Sequence, residues 1–236
     1  MERHSISNIT TALISRDPFF LFTARALLGR DRRVRIYDTA SALADLGSSD
    51  RFTGLQALVC DLDTAELDAT FPADLSAWMR DNPRTKVLCL AEGRLAEAAR
   101  VIGDLPVHAL LSKNELGYCL HLAVHAVVEE NVRLLTERSH SLLPPNAALR
   151  REGRLIAPER PHPNLTERIA EVAMWRIFIG LDNPDIRDEL LLGDDTVRGY
   201  VSTAYQALGA NNELEAFEAL SNWWWITRFE EAVHER

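Results

Sequence analysis

Residues 181–209 read "LDNPDIRDELLLGDDTVRGYVSTAYQALG", and their apolar positions fall on one side of two short helices. In the first, Asn183 stands as N-cap with Pro184 at the first helical position, and Ile186, Leu190 and Leu191 face inward. The "LLG" of residues 191–193 supplies a tight turn. From Asp194 or Asp195 a second helix buries Val197, Val201, Ala204 and Leu208 at helical spacing and stops at Gly209. Just upstream, "LTERIAEVAMWRIFIGL" predicts a helix from Thr166 to Gly180, with Ile169, Val172, Ala173, Ile177 and Phe178 on one face. Two short helices joined by a tight turn, the second amphipathic, make a helix-turn-helix arrangement.

The remaining chain must accommodate this all-α module. At 236 residues, 47% hydrophobic and 26% charged, the composition is that of an ordinary soluble globular protein, with room for two domains of roughly 100 residues or more. Every apolar run is broken by a charge before about 18 residues, so no membrane span is expected. Residues 1–8 hold no apolar segment or cleavage site, which predicts no secretion signal and a cytoplasmic location. Cys60, Cys89 and Cys119 are far apart in apolar runs, which suits buried reduced thiols. No glycine-rich phosphate loop, metal-ligand cluster or nucleophile with a base is found, so neither enzymatic chemistry nor a cofactor or metal is expected. His121 and His125 share helical spacing and are expected on the surface. The net charge is −9. From Asn164 onward six arginines and no lysine face fourteen Asp plus Glu, so bulk electrostatics oppose attraction to nucleic acid or an anionic membrane.

Before the helical module, short apolar runs recur at Ile9–Ser15, Val34–Tyr37, Leu55–Cys60, Lys86–Leu90 and Val107–Leu111, each leading toward a helix-like stretch or a loop. This alternation predicts an α/β domain with a parallel sheet. Continuous apolarity in "LQALVC" and "KVLCL" predicts strands covered on both faces. Sites in such sheets collect at the carboxyl ends of the strands. Over roughly residues 9–130 the layout resembles the flavodoxin-like receiver domain of bacterial response regulators. The resemblance implies that Asp61, closing "ALVCD", is the phosphoacceptor equivalent and that Lys113 in "HALLSKNE" is the lysine contacting phosphoryl oxygens. It also implies degeneracy: the magnesium-binding acidic pair aligns with Ser15 and Arg16, and the reporting Ser/Thr with Ala91. One carboxylate, Asp17, beside an arginine is a poor hard-cation site. Asp61 is therefore expected in a permanent ion pair with Lys113, to which Arg16 can add, and not to switch by phosphorylation. A calcium loop in "DLDTAELD" is rejected, because Glu66 stands where the loop needs Gly.

From Glu115 to Ser139 the pattern reads as one long helix, with Leu116, Leu120, Ala123, Val127 and Leu134 as a stripe interrupted by Asn131. Two readings stand: a short coiled coil through which two subunits pair, or a helix packed on its own sheet. Residues 139–164, "SHSLLPPNAALRREGRLIAPERPHPN", carry five prolines and the basic group Arg150, Arg151 and Arg154, and read as a linker whose arginines can meet phosphate. The expected organisation is a receiver-like domain over 1–139, a linker over 140–163 and a helix-turn-helix domain with a C-terminal extension over 164–236.

"LTERIAEV", "GLDNPDIRDELLLGDDTVRGYVS" and "ALGANNELEA" resemble, in order and spacing, the LuxR/FixJ/NarL-type output domain of response regulators. That implies that the helix holding Thr196 and Arg198 lies in the DNA major groove, with Tyr200, Ser202, Thr203 and Gln206 on or beside the reading surface. The departures are Gln206, Ala207, Asn211 and Glu213, where basic residues are common. Phosphate neutralisation supplies most sequence-independent affinity, so binding is expected to be weak or dimer-assisted. In the tail, Trp223, Trp224 and Trp225 lie about 100° apart on a helix, so at least one is expected to be exposed or to meet a partner, and Trp223 and Trp224 join Leu120, Val127 and Leu134 as candidate dimer contacts. The whole resembles an atypical response regulator: a transcription regulator that binds DNA as a homodimer, independent of phosphorylation. The alternative is the same architecture acting as a protein-interaction module through its acidic C-terminal domain.

Overall fold

The computed structural model describes residues 8–46, 54–65 and 70–230. They divide into two compact units between Ala157 and Pro158. The first unit is built on a seven-stranded sheet, parallel throughout, in the order β2-β1-β3-β4-β5-β6-β7. Its strands are β1 (Ile9–Ile14), β2 (Val34–Ala40), β3 (Ala57–Asp61), β4 (Lys86–Ala91), β5 (Ala109–Ser112), β6 (Leu134–Leu135) and β7 (Arg154–Leu155). The helices are α1 (Pro18–Arg30), α2 (Phe71–Asp81), α3 (Leu95–Ile102), α4 (Lys113–Leu116), α5 (Leu120–Glu129), α6 (Glu137–Leu142) and α7 (Ala148–Glu152).

The first five strands take the flavodoxin-like order that the resemblance to receiver domains implied, and β3 is buried at every residue. Val59 and Leu88 stand in register at the centre, both at 0% exposure, which requires cover on both faces. In this order the chain reverses its winding between β1 and β3, and a crevice opens beyond their carboxyl ends. Asp61, the last residue of β3, stands there.

The long helix expected over Glu115–Ser139 does not form. Gly117 breaks it at φ 57°, and Asn131 takes φ 54° after α5 has ended. Asparagine tolerates that left-handed conformation because its short side chain can bond locally. Leu134 is consequently a strand residue: Leu134 and Leu135 pair with Ala109 and Leu110, so β6 satisfies the edge that β5 would expose.

The expected linker also folds, as far as Ala157. Leu143, Ala147 and Leu149 are buried in the core cluster with Leu135. The approach is close at Gly153, where an added Cβ would lie 2.4 Å from the Leu149 carbonyl oxygen and 2.7 Å from Leu135 Cδ1. The arginines of this stretch serve the unit itself: Arg150 donates to the Leu143 carbonyl at 2.6 Å, and Arg154 pairs with Glu130 at 3.4 Å. Prolines concealed a pattern of apolar residues long enough to add a helix and an edge strand, α7 and β7.

His121 and His125, expected on the surface, are buried at 0% and 1%. Both lie on α5 toward Asp31, with His125 Nε2 2.8 Å from Asp31 Oδ2. Burial pushes the His121 imidazole down to about 3, against which Asp31 pulls weakly upward.

The second unit holds α8 (Glu167–Met174), which widens into a π-helical turn over Trp175–Ile179 and ends at Gly180 with φ 83°, then α9 (Asn183–Leu190), α10 (Asp194–Leu208) and α11 (Glu213–Trp224). A second π-helical turn follows over Trp225–Glu230. The expected boundaries hold to within a residue. The cap of α9 is Asp182, whose side chain accepts from the Asp185 N–H at 3.1 Å, so Asn183 is the first helical residue. Val172, Ile186 and Val197, each at 0%, join α8, α9 and α10. Phe178, Phe217 and Trp224 pack ring to ring at 4.9–5.1 Å between centroids against α11.

Candidate nucleic-acid interface and the strand-end cluster

Ser15, Asp61 and Lys113 converge although nearly a hundred residues separate the first from the last. Each sits at the carboxyl end of a strand, and β1, β3 and β5 bring those ends to one edge. Asp61 has both oxygens occupied. Lys113 Nζ lies 2.6 Å from Oδ1, which also accepts the Asp63 N–H at 3.1 Å. Oδ2 accepts from Ser15 Oγ at 2.6 Å and from Thr64 Oγ1 at 3.4 Å. Arg16 joins through its backbone N–H, which donates to Thr64 Oγ1 at 3.0 Å. Ala91 is fully buried, standing opposite Ser112 in register, and offers only a methyl group. Asp17 caps α1 by accepting from the Phe19 N–H at 2.9 Å.

Three contributors escaped the sequence reading. Asp63, noticed only within a rejected calcium loop, is a second partner of Lys113 at 2.8 Å and accepts the backbone N–H groups of Glu92 and Arg94. Burial raises the Asp63 pKa, but Lys113 and those N–H donors outweigh it and hold the carboxyl below its ordinary range. Burial likewise works against the Lys113 charge, and the two aspartates outweigh it upward. Glu92 accepts from Ser112 Oγ at 2.6 Å and from the Asn114 N–H at 3.2 Å, and pairs with Arg138. Arg138 belongs to α6, so the end of the segment expected as one long helix contributes to the cluster. A second carboxylate two residues after the first was the one available signal.

In the second unit, α10 buries Val197 and Ala204 and exposes Thr196, Arg198, Ser202, Thr203 and Gln206 along its outer side. Tyr200 does not belong to that surface: its ring is half-buried against the Val172, Ile186 and Val197 cluster. Thr203 Oγ1 donates to the Gly199 carbonyl at 2.8 Å, which leaves its lone pairs free to accept. Gly199 has nothing within 4 Å of where a Cβ would stand, so a partner can approach the backbone of the helix there.

Arg198 is less isolated than its sequence neighbours suggest. It lines a cavity of ≈ 380 Å³ together with Arg176 of the π-helical turn and Arg187 of α9. Their charges are partly engaged. Arg176 pairs with Glu213 at 3.1 Å, and Arg187 with Asp188 at 2.7 Å and Asp194 at 3.2 Å. Arg198, 71% exposed in its side chain, reaches Asp195 only at 4.0 Å.

The proposed dimer contacts are used internally. Leu120, Val127, Leu134 and Trp224 are 0–2% exposed within their own units, because α5 is packed all round and Leu134 has become a strand residue. Trp223 is half-buried, edge-on to His162 at 5.1 Å, and Trp225 stacks on Phe229 at 5.5 Å. None of the three tryptophans is fully exposed, since the widened turn after Trp224 seats its neighbours on the flanks. Among the described residues no helix is long and apolar enough to cross a membrane, and no cluster of three metal-ligating side chains occurs.

No protein-family model matches the chain, and no curated protein matches it in sequence. Solved structures do. A Salmonella typhimurium RcsB response regulator is 17% identical, covering 92% of this chain and 99% of its own, with a TM-score of 0.48. A two-component response regulator RcsB–DNA complex is 17% identical over 91% of this chain and 98% of its own, with a TM-score of 0.48. The response regulator ChrA of a heme-sensing two-component system is 18% identical over 92% and 98%, with a TM-score of 0.44. Likeness at that level transfers no activity to this chain.

Proposed function

We propose that the protein is a DNA-binding transcription regulator of response-regulator type, with α10 as its reading helix and a receiver-like unit that works without phosphorylation. One observation carries the first part: Thr196, Arg198, Ser202, Thr203 and Gln206 share the exposed side of a helix whose other side is locked into a helix-turn-helix core. Such a helix fits the major groove, where Arg reads guanine and Gln reads adenine. Arg176 and Arg187 beside Arg198 supply phosphate contacts that α10 lacks alone.

Both Asp61 oxygens are occupied, and Lys113 is shared with Asp63, which supports the second part. A phosphoryl group on Asp61 would have to displace Lys113 or Ser15. Phosphoryl transfer needs charge stabilisation by a metal, and the carboxylate nearest to that role, Asp17, caps a helix instead. The regulator acts as a homodimer in the cytoplasm, two reading helices meeting two half-sites and offsetting the small number of cations.

Binding to genomic DNA fragments at low and moderate salt tests the reading. Sequence-selective binding is expected at about 50 mM salt, and its absence there would falsify direct DNA recognition. A second reading, protein interaction through the acidic surface, is favoured by Asp185, Asp194 and Asp195 at the starts of α9 and α10. It prevails if the chain captures a basic protein partner but no DNA.

A further inference from the structure

Beyond the carboxyl ends of β1 and β3 lies a cavity of ≈ 940 Å³, within the range of small-molecule sites, which span about 300–1,000 Å³. Among the described residues no helix separates β2 from β3. A single 3-10 turn, Leu43–Asp45, follows β2. Leu43 contributes to one wall and α2 to another.

The α2 wall carries the chemistry. Asp74, Trp78 and Asp81 follow spacings of four and three, which places all three within about 60° of one another around the helix. All three line the cavity. The indole is half-buried, and the carboxylates are exposed one turn to either side of it. Among the described residues neither carboxylate has an ion-pair or side-chain hydrogen-bond partner. An indole face attracts a cation through its quadrupole, and a carboxylate on each side adds Coulomb attraction. Among the described lining residues Asp61 is already paired with Lys113, and one arginine, Arg16, stands against Asp74 and Asp81, a balance that disfavours an anion.

We propose that this cavity binds a small amphipathic cation, a flat apolar ring system bearing an ammonium group, with the ring on the Leu43 side and the ammonium over Trp78 between Asp74 and Asp81. The site adjoins Asp61, itself part of the lining. It requires neither phosphorylation nor DNA binding.

Isothermal titration of the full chain with 1-naphthylmethylamine, and separately with 1-naphthoate, tests it. The amine is expected to bind at or below about millimolar concentration and the carboxylate not to bind. Asp74→Asn/Asp81→Asn, at exposed positions that leave the fold intact, is expected to weaken the amine about tenfold or more. Asp185→Asn/Glu189→Gln removes the same charge from the other unit and is expected to leave binding unchanged. The proposal is overturned by no amine binding, by equal binding of amine and carboxylate, or by equal losses in the two double variants.

Discussion

Lys113 Nζ lies 2.6 Å from Asp61 Oδ1, joining the last residue of β3 to the first residue after β5. The aspartate side chain is fully buried and that of the lysine is 23% exposed. Removing one partner of a buried pair leaves an uncompensated charge, whereas removing the charge requirement itself costs far less. Lys113→Ala is therefore expected to lower stability by about 2–3 kcal/mol, below the full cost of a dry pair because water reaches the lysine. Asp61→Asn, which keeps the shape and the Ser15 contact, is expected to lose less. Urea unfolding of the two variants checks the order, and equal losses would refute it.

Acid should destabilise the first unit, and His121 and Asp63 are two of the groups responsible. His121 is held at about 3 by burial, against an ordinary 6.5. Between those values the unfolded chain binds a proton that the folded chain does not, so stability falls as pH falls. Asp63 has a folded pKa below its ordinary 3.8. Its contribution is present above that ordinary value and is lost as pH falls through the folded one. His121→Leu is expected to reduce the pH dependence between pH 6.5 and 4 by about one proton, measured by urea midpoints across pH. An unchanged slope would show that His121 is solvated.

Arg198→Ala is expected to weaken DNA binding at every sequence and to reduce the salt slope by about 1 if the side chain meets phosphate. Gln206→Ala is expected to relax base preference, at a cost of about 1–3 kcal/mol on the preferred site. Binding measured across salt and across site variants separates the two behaviours.

Asp188 and Asp194 hold Arg187 beside Arg198. Asp188→Asn/Asp194→Asn frees that guanidinium and removes two repelling charges, so DNA binding is expected to tighten about tenfold at low salt. No change would show that the arginine cluster lies away from the DNA.

Truncation tests the boundary. A chain ending after residue 157 is expected to fold, whereas one ending after residue 139 exposes the core around Leu135 and lacks Leu143 and Leu149. Gly153→Ala, with its Cβ 2.4 Å from a carbonyl oxygen, is expected to cost roughly 2 kcal/mol. Circular dichroism and urea unfolding of these variants suffice.

The first three helices of the second unit were legible almost to the residue, because each carries its own punctuation: Thr166 and Gly180, Pro184, and Gly209 at φ 66°, although Leu191, expected inward, is 91% exposed. Strand positions in the first unit were legible for the same reason, since runs such as "KVLCL" are apolar without interruption. Residues 115–157 were misread. Leu120, Val127 and Leu134 satisfy a helical period, and nothing local distinguishes a leucine that ends a helix stripe from one that starts a strand. Arginines and prolines over 139–157 imitate a linker, because a two-residue strand such as Arg154–Leu155 has too little sequence to display a period.

The sequence by itself determined the class of both units, the place of Asp61 and Lys113 at strand ends and the helix-turn-helix of the second unit, because periodicity, caps and turns act within a few residues. Only the tertiary structure decided that Asp63 shares Lys113, that Arg176 and Arg187 stand beside Arg198, that the expected dimer stripe is core and that a cavity opens under Trp78. Those relationships join residues between about 10 and 50 positions apart, through the order of the strands and the crossing of the helices. Distances of that kind are fixed by packing, and no local pattern encodes them.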